Sequence, residues 1–215
     1  MNRYLSTLAV LALTFGSTAC LVKETTHRVY LSPSGSVAWM VLEQGVRSDE
    51  EDSTKQRREE REWLDAVVRD AHPVTQGLRR LGAERLSTHL LRSERPYMVL
   101  TDARFARVDE VIQRLLEECG LRGTATLQTE GQATTLAVSV DLSSLDDPEP
   151  ETESPVVALL EDLDRYRFAL TEGRFVGATG FDIIENGAAA TLQEIPAETV
   201  ETGGIMKLRL AWRVR

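Results

Sequence analysis

Residues 26–43, THRVYLSPSGSVAWMVLE, carry the clearest structural signal in the chain. Val29 and Leu31 alternate with polar neighbours before a Pro-Ser-Gly turn, and Trp39 and Val41 recur with the same period of two after it. Alternation with a period of two places one face of a strand in a core and the other face toward solvent. The stretch therefore predicts a β-hairpin.

Two helices are predicted directly after this hairpin. Residues 48–71 carry Trp63 and Val67 at helical spacing, although the first half of the segment is charged on every face. Pro73 suits the first turn of a second, shorter helix, and Gly82 suits its end. We interpret the charged half of the longer helix as solvated; a projecting helix gripped by a partner is the alternative.

Further strands and a third helix complete the central part of the chain. Residues 85–101 read as strand, turn and strand, and Glu130-Gly131 marks the turn of a hairpin over residues 123–142. Between them, Asp102 stands near the start of an apolar stripe that predicts a helix, and Gly120 stands at its end. The stripe consists of Phe105, Val108, Val111, Ile112, Leu115, Leu116 and Cys119.

The C-terminal third begins with acids and prolines, SSLDDPEPETESP, which indicate a linker. A short helix over 155–164 and strands that turn at Glu172-Gly173 and Asn186-Gly187 are predicted next. Hairpins that flank helices and are followed by more strands predict an α+β fold. We expect a mainly antiparallel sheet built from hairpins and packed against two to three helices.

The N-terminus has the layout of a secretory signal peptide. Arg3 precedes the apolar run YLSTLAVLALTF, and small residues follow it. This run is too short to cross a bilayer as a helix, which needs roughly 20 residues. The predicted organisation is a signal peptide over 1–19, an α+β domain over 20–142, an acidic linker or loop over 143–154, and a segment over 155–215 that completes the same fold.

The four residues STAC at positions 17–20 resemble the lipobox of bacterial lipoproteins. Thr18 and Ala19 suit that pattern, whereas Ser17 replaces its usual branched aliphatic residue. The resemblance implies cleavage before Cys20 and acylation of Cys20, with palmitate among the chains. Ordinary signal peptidase would cut the same bond and leave Cys20 unacylated. Since Leu21 is not the aspartate that retains some lipoproteins in the inner membrane, the resemblance implies the outer membrane, facing the periplasm.

Composition and motifs exclude several classes of function. The net charge of −9 argues against a general nucleic-acid or anionic-lipid binder, because neutralising phosphates needs clustered Lys and Arg. The three histidines, His27, His72 and His89, lack zinc-site spacing, and we expect no metal and no cofactor. No serine or cysteine nucleophile motif is present, so no catalytic residue is assigned; Cys119, on an apolar stripe, is expected to be a buried inert thiol.

One basic stripe is the exception in an acidic chain. Lys207, Arg209 and Arg213 share one face of a predicted C-terminal strand, and Arg215 follows at the terminus. They either pair with acids of the linker or of the long helix, or form a docking face for acidic lipid headgroups or a protein partner.

We expect a membrane-anchored lipoprotein of the cell envelope that binds or scaffolds a partner and is not an enzyme. An envelope hydrolase with a dispersed active site and a carrier of an apolar ligand are the alternatives.

Overall fold

The computed structural model describes residues 21–143, 165–193 and 204–214. Within them lie two β-sheets and three α-helices, an α+β fold as predicted. The strands are β1 (Leu21–Leu31), β2 (Val37–Ser48), β3 (Arg85–Arg92), β4 (Tyr97–Phe105), β5 (Arg122–Glu130), β6 (Ala133–Asp141), β7 (Tyr166–Leu170), β8 (Arg174–Thr179), β9 (Phe181–Ile184), β10 (Ala189–Leu192) and β11 (Ile205–Arg213). The helices are α1 (Ser53–Val68), α2 (Pro73–Arg80) and α3 (Val108–Glu118). The predicted signal peptide, Cys20, the helix over 155–164, Arg215 and nearly all of the acidic linker lie outside the described residues.

The larger sheet has seven strands in the order β3-β4-β2-β1-β7-β10-β9. Its neighbours are antiparallel except for β1 and β7, which run parallel with Val29 beside Phe168. The smaller sheet has four antiparallel strands in the order β5-β6-β11-β8. A mainly antiparallel sheet, as expected, is therefore extended by one parallel pair.

The first hairpin forms as the alternation predicted. β1 and β2 pair with Val29 opposite Trp39 and Leu31 opposite Val37, and all four side chains are buried. The intervening even-numbered residues are only half-buried or exposed. The period-two pattern thus distinguishes the covered face of the large sheet from its other face.

The covered face packs against the helices and the small sheet in one continuous core. Leu78 of α2, Val111 of α3 and Leu210 of β11 join Val41 of β2 in the same buried cluster. A satellite cluster holds Trp63 and Val67 of α1 against Val46 and Val99. All three helices therefore lie on the inner side of the large sheet.

The long helix begins later than predicted, because β2 continues to Ser48. Asp52 then caps α1: its carboxylate accepts hydrogen bonds from the backbone N–H groups of Thr54 and Lys55. These hydrogen bonds satisfy donors that have no partner within the helix, and they lower the pKa of Asp52.

A search of the described helices finds no segment with the length and apolar character of a membrane span.

One local prediction was wrong. Asp102 and Phe105 lie in β4 rather than at the start of a helix, because α3 begins only at Val108. The predicted strands around Glu172-Gly173 are present as β7 and β8, but they join different sheets: β7 pairs with β1 and β10, whereas β8 pairs with β11. Alternation indicates a strand but does not identify its partner.

Candidate binding surface

The outer face of the large sheet is not covered by any of the described helices. Antiparallel pairing brings side chains that share this face into rows across β1, β2, β4 and β3. One row runs Arg28, Met40, Asp102 and Ser87, and the next runs Thr26, Leu42, Leu100 and His89. Paired residues point to the same side of a sheet. These rows therefore form one continuous surface.

The centre of this surface is apolar. Met40 and Leu42 on β2 lie beside Met98 and Leu100 on β4, and all four are half-buried by their neighbours in the sheet. Methionine is adaptable and polarisable, and it is enriched at protein interaction surfaces. An apolar centre left uncovered on a sheet face is a typical feature of a binding surface.

Arginines surround the apolar centre. Arg47 and Arg92 lie at the end where β1 begins, Arg28 lies midway, and Arg85 and Arg104 lie at the opposite end. All five are exposed, and none forms an ion pair with another described residue. We call the surface formed by these arginines and the four central apolar residues the arginine face.

The charge of the arginine face contrasts with that of the whole chain. Lys and Arg equal Asp and Glu in number among the described residues, so the net charge of −9 arises from the remaining segments. On the arginine face, the acids Glu24 and Asp102 already accept hydrogen bonds from Gln44 and Ser87. The arginines thus make this face net basic.

A groove of about 690 Å³ opens at the far end of the arginine face. Its walls include Tyr30, Arg85, Ser87, Asp102 and Arg104. Glu84 and apolar side chains such as Leu86 also line this open groove, so its lining is mixed and its two arginines are matched by two carboxylates.

Ser87, Asp102 and His89 are close together in this region, but they do not form a nucleophilic triad. Ser87 Oγ donates to Asp102 Oδ2 at 2.5 Å, and His89 Nε2 lies 3.7 Å from the same oxygen. An activated serine needs a base that accepts its proton, with the carboxylate orienting that base. Here the Asp102 carboxylate accepts the hydrogen bond from the Ser87 hydroxyl directly, with no base between them. Ser87 and Asp102 therefore form a hydrogen-bonded pair and not part of a triad.

The covered face carries a buried polar network. Glu43 Oε1 accepts from Lys23 Nζ at 2.7 Å, and His72 Nε2 lies 3.1 Å from Glu43 Oε2. Burial, partly opposed by the charge of Glu43, lowers the pKa of His72. The network lies beneath α2, and none of its residues lines the groove at the end of the arginine face, so we assign it to the structure of the core.

His27 is a second buried histidine on that face. Its ring stacks on Tyr166 with centroids 4.2 Å apart, and its Nδ1 accepts from Trp39 Nε1 at 3.2 Å. Burial, with a smaller contribution from the charge of Lys23, lowers its pKa to about 4. His27 is therefore a neutral core residue at pH 7.

No cluster of three or more His, Cys, Asp or Glu side chains among the described residues is arranged to hold a metal ion.

The basic stripe and Cys119, which the sequence analysis singled out, lie outside the arginine face. Lys207, Arg209 and Arg213 are exposed on the outer face of β11, whereas Leu208, Leu210 and Trp212 point to the core. Cys119 follows α3 and is a free thiol, and burial raises its pKa, with Glu118 adding to the effect. That environment disfavours the reactive thiolate.

Sequence reasoning missed the arginine face, because its residues come from four separate strands. In residues 26–43, the alternation predicts the even-numbered positions only as the solvent face of a hairpin. Met40 and Leu42 in those positions were the available signal, since an ordinary solvent face does not need them. The register that places Arg85 and Arg104 beside them was not accessible from alternation alone.

Comparison with known proteins yields no family model and no curated protein that matches the chain. Among solved structures, the folded domain of Mycobacterium tuberculosis LppM is similar over 94% of both chains, with 10% identity and a TM-score of 0.39. The Mu homology domain of Danio rerio Fcho1, solved with a bound Eps15 peptide, is similar over 92% of this chain and 81% of that chain, with 9% identity and a TM-score of 0.21. These likenesses are too low to indicate a function for the chain.

Proposed function

We propose that the chain is a lipoprotein of the bacterial cell envelope, anchored by acyl chains on Cys20 in the outer membrane and facing the periplasm. The lipobox-like residues before Cys20 support this assignment. Two or more acyl chains give the stable anchoring that one chain does not. On this proposal the exported fold is a binding module and not an enzyme.

The arginine face is the observation that carries the binding role. Five arginines without ion-pair partners among the described residues surround an uncovered apolar centre. Such a face favours a ligand that offers both negative charge and apolar contact. Arginine also suits this role because its guanidinium presents five N–H donors in a fixed planar arrangement.

The two alternative functions receive less support from the described residues. A carrier needs an enclosed apolar cavity, but the described concavities are open grooves beside a packed core. A hydrolase needs an activated nucleophile, but Ser87 donates its hydroxyl hydrogen to Asp102. The binding module therefore remains the better proposal.

Site-specific photocrosslinking in the intact bacterium tests the proposed binding face. A photoreactive amino acid at Met40 reports on the centre of the arginine face, and one at Ala137 reports on the small sheet beside Arg209. We expect an adduct at Met40 and none at Ala137. Absence of an adduct at Met40 contradicts the proposal, and an adduct only at Ala137 moves the site to the basic stripe of β11.

The anchor is tested separately by mass spectrometry of the mature N-terminus. We expect a chain that starts at Cys20 and carries the added mass of diacylglycerol and an N-acyl group. A mature chain with an unmodified Cys20 contradicts the lipoprotein assignment, whatever the crosslinking shows.

A further inference from the structure

We infer that the arginine face lies against the anionic phospholipid headgroups of the membrane in which Cys20 is anchored, an inference that rests on the proposed function. The occupant of the face is therefore a lipid surface rather than a protein. Three features of the described residues carry this inference: the short tether, the distribution of the arginines, and the exposed apolar side chains beside them.

The tether is short because β1 begins at Leu21, the residue after Cys20. One residue spans at most about 3.6 Å, so the acyl chains hold the start of β1 at the headgroups. Arg47 and Arg92 lie at this end of the arginine face. Anchoring through Cys20 therefore brings the face to the membrane before any other contact forms.

Exposed apolar side chains stand at the same end. Val22 pairs with Arg47 across the hairpin and is 44% exposed, and Leu91, next to Arg92, is 54% exposed. Apolar side chains flanked by arginine are the composition with which peripheral proteins enter the headgroup region. Both positions leave apolar area in water unless something covers them.

The positive charge of the arginine face determines which kind of partner can lie against it. The arginines have no ion-pair partners among the described residues, so phosphate groups can approach them without displacing a carboxylate. A second copy of the chain would place arginine against arginine across the same face, which like-charge repulsion opposes. A bilayer with anionic lipid supplies the negative charge and the apolar contact over a wide, flat area.

Vesicle binding tests the inference without the lipid anchor. The chain from residue 20, with Cys20→Ser, holds all the described strands and helices and cannot be acylated. We expect it to co-sediment with vesicles of phosphatidylcholine and phosphatidylglycerol but not with phosphatidylcholine alone, and less at high salt. Failure to bind the anionic vesicles overturns the inference.

Two matched variants locate the contact. Arg47→Gln/Arg92→Gln removes two charges from the arginine face, and Lys207→Gln/Arg209→Gln removes two from the small sheet. Because each arginine near an anionic surface contributes about fivefold, we expect the first variant to bind ~30-fold more weakly and the second to bind like the parent chain. All four residues are exposed, so unchanged thermal unfolding is the check on folding.

Equal losses in the two variants, or none in the first, overturn the inference. The proposed function fails by different results. A protein adduct at Met40 without vesicle binding preserves the binding module but rejects the membrane as its ligand. An unmodified Cys20 rejects the lipoprotein assignment even where vesicles are bound.

Discussion

His72 Nε2 lies 3.1 Å from Glu43 Oε2, and both side chains are only 1% exposed. The distance is that of an ion pair, although its geometry does not make a hydrogen bond, and His72 Nδ1 also has no partner among the described residues. Lys23, which is 27% exposed, supplies the hydrogen bond to the other carboxylate oxygen. Lys23 is therefore the main compensation for a carboxylate buried beneath α2.

Loss of Lys23 should destabilise the fold through Glu43. We expect Lys23→Met to lower the free energy of unfolding by about 3 kcal/mol, because a buried charge loses its partner. The double variant Lys23→Met/Glu43→Gln should recover much of that loss, since the buried charge is then gone. Urea unfolding at pH 7 measures both.

The control for this prediction is Lys207→Met, which removes the same charge from an exposed position. It should change stability by less than about 0.5 kcal/mol. If Lys23→Met costs no more than Lys207→Met, the buried carboxylate does not depend on Lys23.

Stability should fall on mild acidification because of His27. Its folded pKa of about 4 lies below the ordinary value of 6.5, so the unfolded chain binds more protons between those values. The stability from this group is complete above pH 6.5 and is lost as the pH falls toward 4. From pH 7 to pH 5 we expect a loss of about 2 kcal/mol, and the lowered pKa of His72 acts in the same direction.

Urea midpoints at pH 7 and pH 5 measure this dependence. His27→Gln should be less stable at pH 7 but should lose less between the two pH values. The exposed His89 is the control, and His89→Gln should keep the dependence of the parent chain. An unchanged pH dependence in His27→Gln would show that His27 is not the titrating group.

Glu60 should stabilise the packing of α1 against the end of β2 and against the turn between β3 and β4. Its carboxylate accepts from the backbone N–H of Ser48 at 3.0 Å and lies 3.0 Å from Arg95 Nε. Glu60→Ala leaves the buried Ser48 N–H without that acceptor, so we expect a loss of about 2 kcal/mol in thermal unfolding. Glu62→Ala, on the exposed side of the same helix, should be nearly neutral. Similar losses for the two variants would refute the specific role of Glu60.

Ser87 should not behave as a catalytic serine. Because its hydroxyl donates to Asp102, a fluorophosphonate probe should leave it unlabelled in the folded chain. Intact-protein mass spectrometry and peptide mapping check this outcome. An adduct on Ser87 that is lost in His89→Gln would favour the hydrolase instead.

Much of the local structure was accessible from the sequence. Val29 and Trp39 each belong to a series of apolar residues with a period of two and form a buried pair, and the turn at Asn186-Gly187 separates β9 from β10 as predicted. Asn186 and Gly187 both adopt positive φ there, of 56° and 90°. Alternation and turn residues involve positions that are close in the sequence, so one sequence is enough to predict them.

Long-range pairing was not accessible in the same way. Nothing in residues 166–170 distinguishes a partner of β1 from a partner of β8, since either sheet accepts an alternating apolar strand. The candidate site was less predictable than the fold, because the arginine face forms only when β3 and β4 lie beside β2. The sequence predicted elements well, and it predicted surfaces composed from several elements poorly.

The parallel pairing of β1 with β7 has a consequence for the order in which the chain matures. β2 occupies one edge of β1, and Tyr166–Leu170 must reach the other edge before its backbone groups are paired. If the chain is exported from its N-terminus, as proposed above, it presents an open strand edge beside the proposed Cys20 anchor until residues 166–170 emerge. An open edge pairs readily with other strands, so on that proposal the newly exported chain is most prone to self-association before β7 pairs with β1.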